Sequence, residues 1–234
     1  MSGPLPILDG MRSALTEHGL HVRGVAHFPD GQGGPALSDG RQARSVVLIG
    51  NIGGSLWEAF SHWREKRKDR GGTDPLDAWS KEAIGEIAGR LGATAYYPSD
   101  PPYQPFQQWA MKGEGLKASP LGILIHPQHG LWHGYRGALG FAEDIAEERV
   151  PPDDTDICGQ CHDKPCLSTC PAMAVSRDRF DVAGCRSHLA TTAGKAGCMT
   201  LGCLARAACP VGSMYRYPEA QLRFHMEALR LPPG

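Results

Sequence analysis

At 234 residues with 41% hydrophobic side chains, the chain is long enough for one large domain or two smaller ones with a normal core. Its 24 basic and 25 acidic residues leave a net charge of -1, which excludes a general attraction to phosphate backbones or anionic membranes; any nucleic-acid contact has to be local. No apolar run approaches the roughly 18 residues of a membrane helix, and the N-terminal MSGPLPILDG has no basic segment ahead of an apolar one, so a soluble, cytoplasmic protein is expected.

From Leu5 to His18, the spacing of Leu8, Met11, Ala14 and Leu15 predicts a helix that Gly19 stops. A short strand is expected near Val22 to Phe28, then a glycine-rich loop from Asp30 to Gly40. The run Val46-Val47-Leu48-Ile49 suits a strand buried on both faces, and Gly50 to Ser55 turns it into a helix carrying Leu56, Trp57, Phe60 and Trp63 inward. That turn suits either an anion at a helix N-terminus or a plain tight turn, since it lacks the G-x-G-x-x-G and Walker spacings. The basic run Arg64 to Arg70 reads as a solvated helix end, with a local tRNA contact as the alternative.

Thr73-Asp74-Pro75 opens a second helix whose stripe is Ala78, Trp79, Ala83, Ile84, Ile87 and Leu91, and Gly92 ends it. Ala95 to Tyr97 reads as a strand, the proline-rich stretch Pro98 to Pro105 as irregular, and Phe106 to Met111 as a short helix. Leu121 to Ile125 and Trp132 to Phe141 read as two strands of a hairpin joined by His126-Pro127-Gln128-His129-Gly130. Strands and helices that interleave without a strict rhythm predict an α+β fold, an α/β sandwich. The acidic stretch Glu143 to Asp156 reads as a linker. The expected division is 1–150 for this domain, 151–217 for a cysteine module, and 218–234 for a C-terminal helix packing back on the first domain.

All eight cysteines lie between 158 and 209, and Cys170 and Cys209 are each followed by proline. The first group reads Cys158-x2-Cys161-x4-Cys166-x3-Cys170-Pro171; the second contains Cys185, Cys198, Cys203 and Cys209. Thiolates gathered in a reducing compartment are a soft-metal ligand set, and Cys-Pro closure of both groups points to two 4Fe-4S clusters. In two-cluster ferredoxins the fourth cysteine of each run ligates the other cluster. Applied here, one cluster takes Cys158, Cys161, Cys166 and Cys209, and the other takes Cys170, Cys185, Cys198 and Cys203. Two tetrahedral four-cysteine zinc sites are the competing metal reading, and redox-active disulfides rank below both. Ala174 to Val182 has the look of the hairpin that links ferredoxin halves, and Tyr215 and Tyr217 are candidates to shield a cluster from water.

The first group, with its Pro165-Cys166 step, resembles the Cys-x2-Cys-x3-Pro-Cys-x3-Cys-Pro run of electron-transfer subunits that partner molybdopterin oxidoreductases. His126, Pro127, Gly130, Trp132, Arg136 and Gly137 match an H-P-x-x-G-x-W-x-x-x-R-G segment. That segment resembles the cobalamin-processing family of methylmalonic aciduria and homocystinuria type C, which removes upper-axial corrinoid ligands. Cys185-Arg-Ser-His-Leu-Ala-Thr resembles a stretch of epoxyqueuosine reductase, where, as in reductive dehalogenases, a corrinoid domain is fused to a two-cluster ferredoxin module. The resemblance implies a flavin-reductase/nitroreductase-like sandwich followed by a two-cluster ferredoxin-like domain. It implies an oxidoreductase in which the clusters deliver electrons to a cofactor held by the N-terminal domain. That cofactor is expected to be cobalamin, with flavin ranked behind it, lined by His126, His129, Trp132, His133, Tyr135 and Arg136. Taken singly, each of these histidines reads more readily as a hydrogen-bonded structural residue than as a ligand, and Arg136 reads equally as a stacked surface pair. A redox partner protein is expected, with no membrane and no general nucleic-acid partner. The alternatives are a ferredoxin-type carrier with no cofactor in the first domain and, ranked below it, epoxyqueuosine reductase-like action on tRNA. Nothing in the chain corresponds to that enzyme's aspartate-containing proton-donor segment or its C-terminal helical repeats.

Overall fold

The protein was analysed as a computed structural model, which describes residues 4–146 and 156–229. In chain order the first part contains α1 (Pro4–Thr16), β1 (His21–His27), β2 (Ser45–Ile52), α2 (Trp57–Glu65), α3 (Pro75–Leu91), β3 (Thr94–Tyr96), α4 (Phe106–Glu114), β4 (Lys117–Ala118), β5 (Leu124–Ile125) and β6 (His133–Phe141). After the acidic stretch, most of which lies outside the described residues, come α5 (Ile157–Gln160), α6 (Pro165–Ser168), α7 (Val182–Ala190), α8 (Thr192–Ala196), α9 (Cys198–Leu201), α10 (Leu204–Ala207) and α11 (Glu219–Glu227).

The chain forms two compact units. One takes the chain up to Gly115 and resumes at Gly134; the other takes Leu116–His133 and the cysteine-bearing C-terminal part. This differs from the expected division at residue 150, because the segment 116–133 belongs with the cysteines. Among the described residues no helix is long and apolar enough to cross a membrane.

The first unit is built on a four-stranded sheet of order β1-β2-β6-β3. β1 runs antiparallel to β2 and β3 antiparallel to β6, with Val25 opposite Val47 and Ala95 opposite Leu139. Val46, Val47, Leu48 and Ile49 are all fully buried, so β2 is covered on both faces, as its unbroken apolar run predicts. α1 and α4 pack on β1, and α3 packs on β3. α3 buries Trp79, Ala83, Ile84 and Ile87 at helical spacing and stops at Gly92, whose left-handed backbone (φ 62°) sends its N–H back to the last turn. α4 comes close to β1 because Gly24 and Gly113 have no side chains; a Cβ on Gly113 would press on the Val25 backbone.

The expected hairpin between 121–125 and 132–141 does not form. β5 pairs instead with β4, Ile125 opposite Lys117, while β6 joins the sheet of the first unit. The buried run Ala138 to Phe141 is the reason, since it suits an interior strand between β2 and β3 better than an exposed two-stranded ribbon. His126 to Gly130 still closes on itself, with mutual backbone hydrogen bonds of 2.9 Å.

The second unit combines the β4–β5 pair and the His126–Gly130 bridge with short helices, and a further bridge, Val175 to Phe180, lies at the expected ribbon. Its core is Leu121, Ile125, Leu131, Val175 and Ala205, with five of the cysteines packed around it. α11 also belongs here: it packs on α9, and Leu222 joins Trp132 and Tyr217 in a buried cluster. The helix thus meets Trp132, a residue of the expected first domain that the structure groups with the cysteines. Its apolar Leu222 finds a partner in the side-chain-free surface at Gly202.

Candidate functional site

Short capped turns carry the thiols. Asp156 caps α5 by accepting the Gly159 N–H at 2.9 Å, which places Cys158 on the helix and Cys161 just after it. Lys164, in the left-handed region at φ 39°, reverses the chain so that Pro165 can start α6 and present Cys166; its ammonium donates to the Cys158 carbonyl. Cys170 follows α6, and its sulfur accepts the Ala174 N–H at 3.4 Å. Asp181 caps α7, which carries Cys185; Cys198 opens α9, and Cys203 and Cys209 flank α10.

All eight are free thiols. Their mutual electrostatics divide them into two sets. Burial raises the Cys158 pKa first, followed by Cys209, Cys166, Asp156 and Cys161. Burial also raises Cys209, against the lowering effect of the Val211 amide, with Cys166 and Cys161 adding to it. In the other set burial raises Cys185, followed by Cys203, Cys170 and Cys198. Cys203 is raised by burial, opposed by the amides of Arg206 and Ala205, and raised further by Cys198 and Cys170. With Cys166, raised by burial and then Cys161, five thiols are shifted, and none draws on a cysteine of the other set.

Around the second set the chain leaves a small recess lined by Cys170, Cys185, Cys198 and Cys203, with apolar walls that include Val175, Phe180 and Leu189. Among the described residues no three His, Cys, Asp or Glu side chains close on a single metal ion. A zinc ion with Zn–S of about 2.3 Å would hold its sulfurs roughly 3.8 Å apart.

The six residues expected to line a cofactor divide between the units. His126, His129, Trp132 and His133 lie in the second. His126 Nδ1 accepts the backbone N–H groups of Gln128 (3.0 Å) and His129 (3.2 Å), which puts its proton on Nε2. The buried His129 ring stacks on His126 at 4.1 Å and meets the edge of Tyr215 at 4.7 Å. His133 Nε2 donates to the Leu124 carbonyl at 3.2 Å. Trp132, 1% exposed, packs edge-on against Tyr217. The loop is seated by two left-handed glycines: a Cβ on Gly130 would strike the Val211 carbonyl, and one on Gly212 would strike the His129 backbone. The histidine loop therefore lies directly against the residues that follow Cys209-Pro210.

Tyr135 and Arg136 lie in the first unit. The Tyr135 hydroxyl donates to Glu114 Oε1, whose other oxygen pairs with Arg23 at 2.8 Å; the Arg23 and Glu114 side chains are 2% and 6% exposed. Arg23 also donates to the Asn51 carbonyl at 3.0 Å. Burial, then Glu114, pushes the Tyr135 pKa well up, so its hydroxyl stays protonated. Arg136 faces Asp77 at 3.7 Å and donates through Nε to the Tyr135 carbonyl.

With this arrangement in view, the chain can be set against known proteins. In fold it is similar to the C. elegans B12-trafficking protein CblC, a human MMACHC homologue. The two share 14% identity and a TM-score of 0.52, over 97% of this chain and 95% of that one. At that identity the likeness speaks for the fold. No family profile matches the sequence, and no curated protein does either.

Sequence reasoning missed Arg206, whose guanidinium lies 4.3 Å from the Trp132 ring centroid and 4.6 Å from that of Tyr217. The available signal was its position three residues after Cys203. It also missed the Arg23–Glu114 pair, which no local pattern marks across 91 residues. In the basic run, Arg67 stacks on Trp63 at 3.8 Å and pairs with Glu82.

Proposed function

We propose that this chain is an iron–sulfur redox protein. Its cysteine-bearing unit would hold one 4Fe-4S cluster on Cys158, Cys161, Cys166 and Cys209 and another on Cys170, Cys185, Cys198 and Cys203, and pass electrons to a corrinoid held by the sheet-bearing unit. The observation that carries the reading is the division of eight free thiols into two sets of four, with Cys209 on the first set and Cys170 on the second. The donor set suits the group: thiols only, amide N–H groups turned toward sulfur at Cys170 and Cys209, and apolar walls around the second set. Such a cluster, when bound, supplies one-electron transfer without a proton.

The corrinoid part is supported by the likeness to a B12-trafficking protein over nearly the whole chain. His126 does not fit as an axial ligand, because it commits its Nδ1 lone pair to two amides and carries its proton on Nε2. What this chain's residues do in the reading is hold sulfur in a dry, amide-lined setting. In this reading corrinoid contact falls to the sheet-bearing unit.

The second reading is an electron carrier with no cofactor in the sheet-bearing unit. It is favoured by the way His126, His129 and Trp132 are used up in packing the cysteine unit.

Anaerobic reconstitution with iron and sulfide tests the first claim. About eight irons per chain and 4Fe-4S signals in electron paramagnetic resonance are expected. Iron without sulfide, or neither, refutes it. Titration of the reconstituted protein with hydroxocobalamin, and separately with flavin mononucleotide, tests the second claim. A change in the corrinoid bands supports the first reading, and no change with either compound supports the carrier.

A further inference from the structure

α10 is a single turn of four residues, Leu204–Ala207, too short to stand by itself. It is bounded by Cys203 on one side and Cys209 on the other, one thiol from each set. Whatever holds this turn also determines where the two sets lie relative to each other.

The holding contacts converge on one side chain. Arg206 Nε and Nη2 both donate to the Leu131 carbonyl, at 3.1 and 2.6 Å, while the guanidinium lies over the rings of both Trp132 and Tyr217. Its backbone faces both thiol-bearing ends. The Arg206 carbonyl accepts the Cys209 N–H at 3.3 Å, and its amide is turned toward the Cys203 sulfur without closing to a full hydrogen bond. The planar fork matters here: one carbonyl takes two parallel N–H groups while the flat cation stacks, which an ammonium cannot reproduce.

We propose that Arg206 is a positioning residue that fixes α10, and with it Cys203 and Cys209, against the Leu131-Trp132 segment, so setting the relation between the two thiol sets and the hydrogen bonding at their sulfurs. The proposal rests on the reading that both sets carry clusters. A cluster's potential follows hydrogen bonds to its sulfurs and its burial, so a shift of this turn reaches the electron-transfer properties directly.

The test uses the full-length, reconstituted protein with Arg206→Lys and Arg206→Met. Iron and sulfide content, circular dichroism, redox titration, and the paramagnetic spectrum of the fully reduced protein, which reports magnetic interaction between two clusters, are compared with wild type. The expected result is near-native iron and fold, a shifted midpoint and an altered interaction spectrum in both variants, with no rescue by lysine. A clamp of purely mechanical importance would lower thermal stability and leave midpoints and interaction spectrum unchanged, which overturns the proposal. Wild-type behaviour of Arg206→Lys overturns it as well, because charge alone would then suffice. If Arg206→Met fails to fold, the lysine variant decides by the same criteria. Wild-type protein that takes up no iron and sulfide sinks this inference together with the proposed function, whereas a loaded wild type with insensitive variants sinks only the inference.

Discussion

Glu114→Ala offers a sharp test of how the first unit is held together. Glu114 accepts from Arg23 and Tyr135 at a site where the two charged side chains are 2% and 6% exposed. Removing the carboxylate leaves the Arg23 guanidinium buried with the Asn51 carbonyl as its remaining acceptor in this network, and an unpaired buried charge of this kind costs about 3–5 kcal/mol. The Tyr135 hydroxyl loses its acceptor too, a further ~1–3 kcal/mol if water does not replace it. Arg23→Met should cost less, because the Glu114 carboxyl keeps the Tyr135 donor and can take up a proton. The double variant Arg23→Met/Glu114→Leu should therefore be more stable than the sum of the single changes implies, by about 1–3 kcal/mol of coupling. Urea unfolding of the cysteine-reduced apoprotein at neutral pH reads all three. A Glu114→Ala cost below about 1 kcal/mol, or a cycle with no coupling, refutes the account and would return Tyr135 and its neighbours to the pool of residues free to meet a ligand.

Cys166→Ser and Cys170→Ser, four residues apart, should abolish different paramagnetic signals and each lower iron to about half of wild type; loss of the same signal in both contradicts the crossed ligand sets. Gly130→Ala puts a side chain on a backbone at φ 56° and against the Val211 carbonyl. The left-handed conformation alone costs about 1–2 kcal/mol, so a melting-temperature drop of roughly 2–8 °C or more is expected, and an unchanged melting temperature rejects the interlocked-loop description. His21 has its pKa lowered by burial and then by Arg23. The unfolded chain takes up this proton near 6.5 and the folded protein resists it, so His21 costs stability as pH falls below 6.5 and contributes none of this effect above it. Urea midpoints across that window should depend less on pH in His21→Gln; an identical slope in both proteins removes His21 from the account.

Where function is carried by spacing, the sequence was informative. The cysteines stand out by their spacing and Cys-Pro closure; in the structure Cys209 acts on Cys158 and Cys170 on Cys185, and two clusters on these thiols are the proposal made above. β1, β2, α3 and its Gly92 stop were legible because apolar period and glycine chemistry are local signals. The histidine segment was not. His126 to Trp132 has alternation enough for a hairpin, yet its neighbour is decided by burial of Ala138 to Phe141 within the sheet and by Gly130 meeting Gly212, 82 positions apart in the chain. The resemblance to another family's motif singled out these residues, but not that His129 and Trp132 are buried in the cysteine unit. The same distance in sequence hid Arg206, whose acceptor is Leu131.

One short turn joining the two thiol sets has a consequence for maturation. With the proposed clusters, occupying either set would immobilise one end of α10, so part of the ordering entropy needed by the other set would already have been spent. Loading should therefore be cooperative, with half-filled protein scarce during assembly and quicker than the fully loaded form to surrender its iron to a chelator.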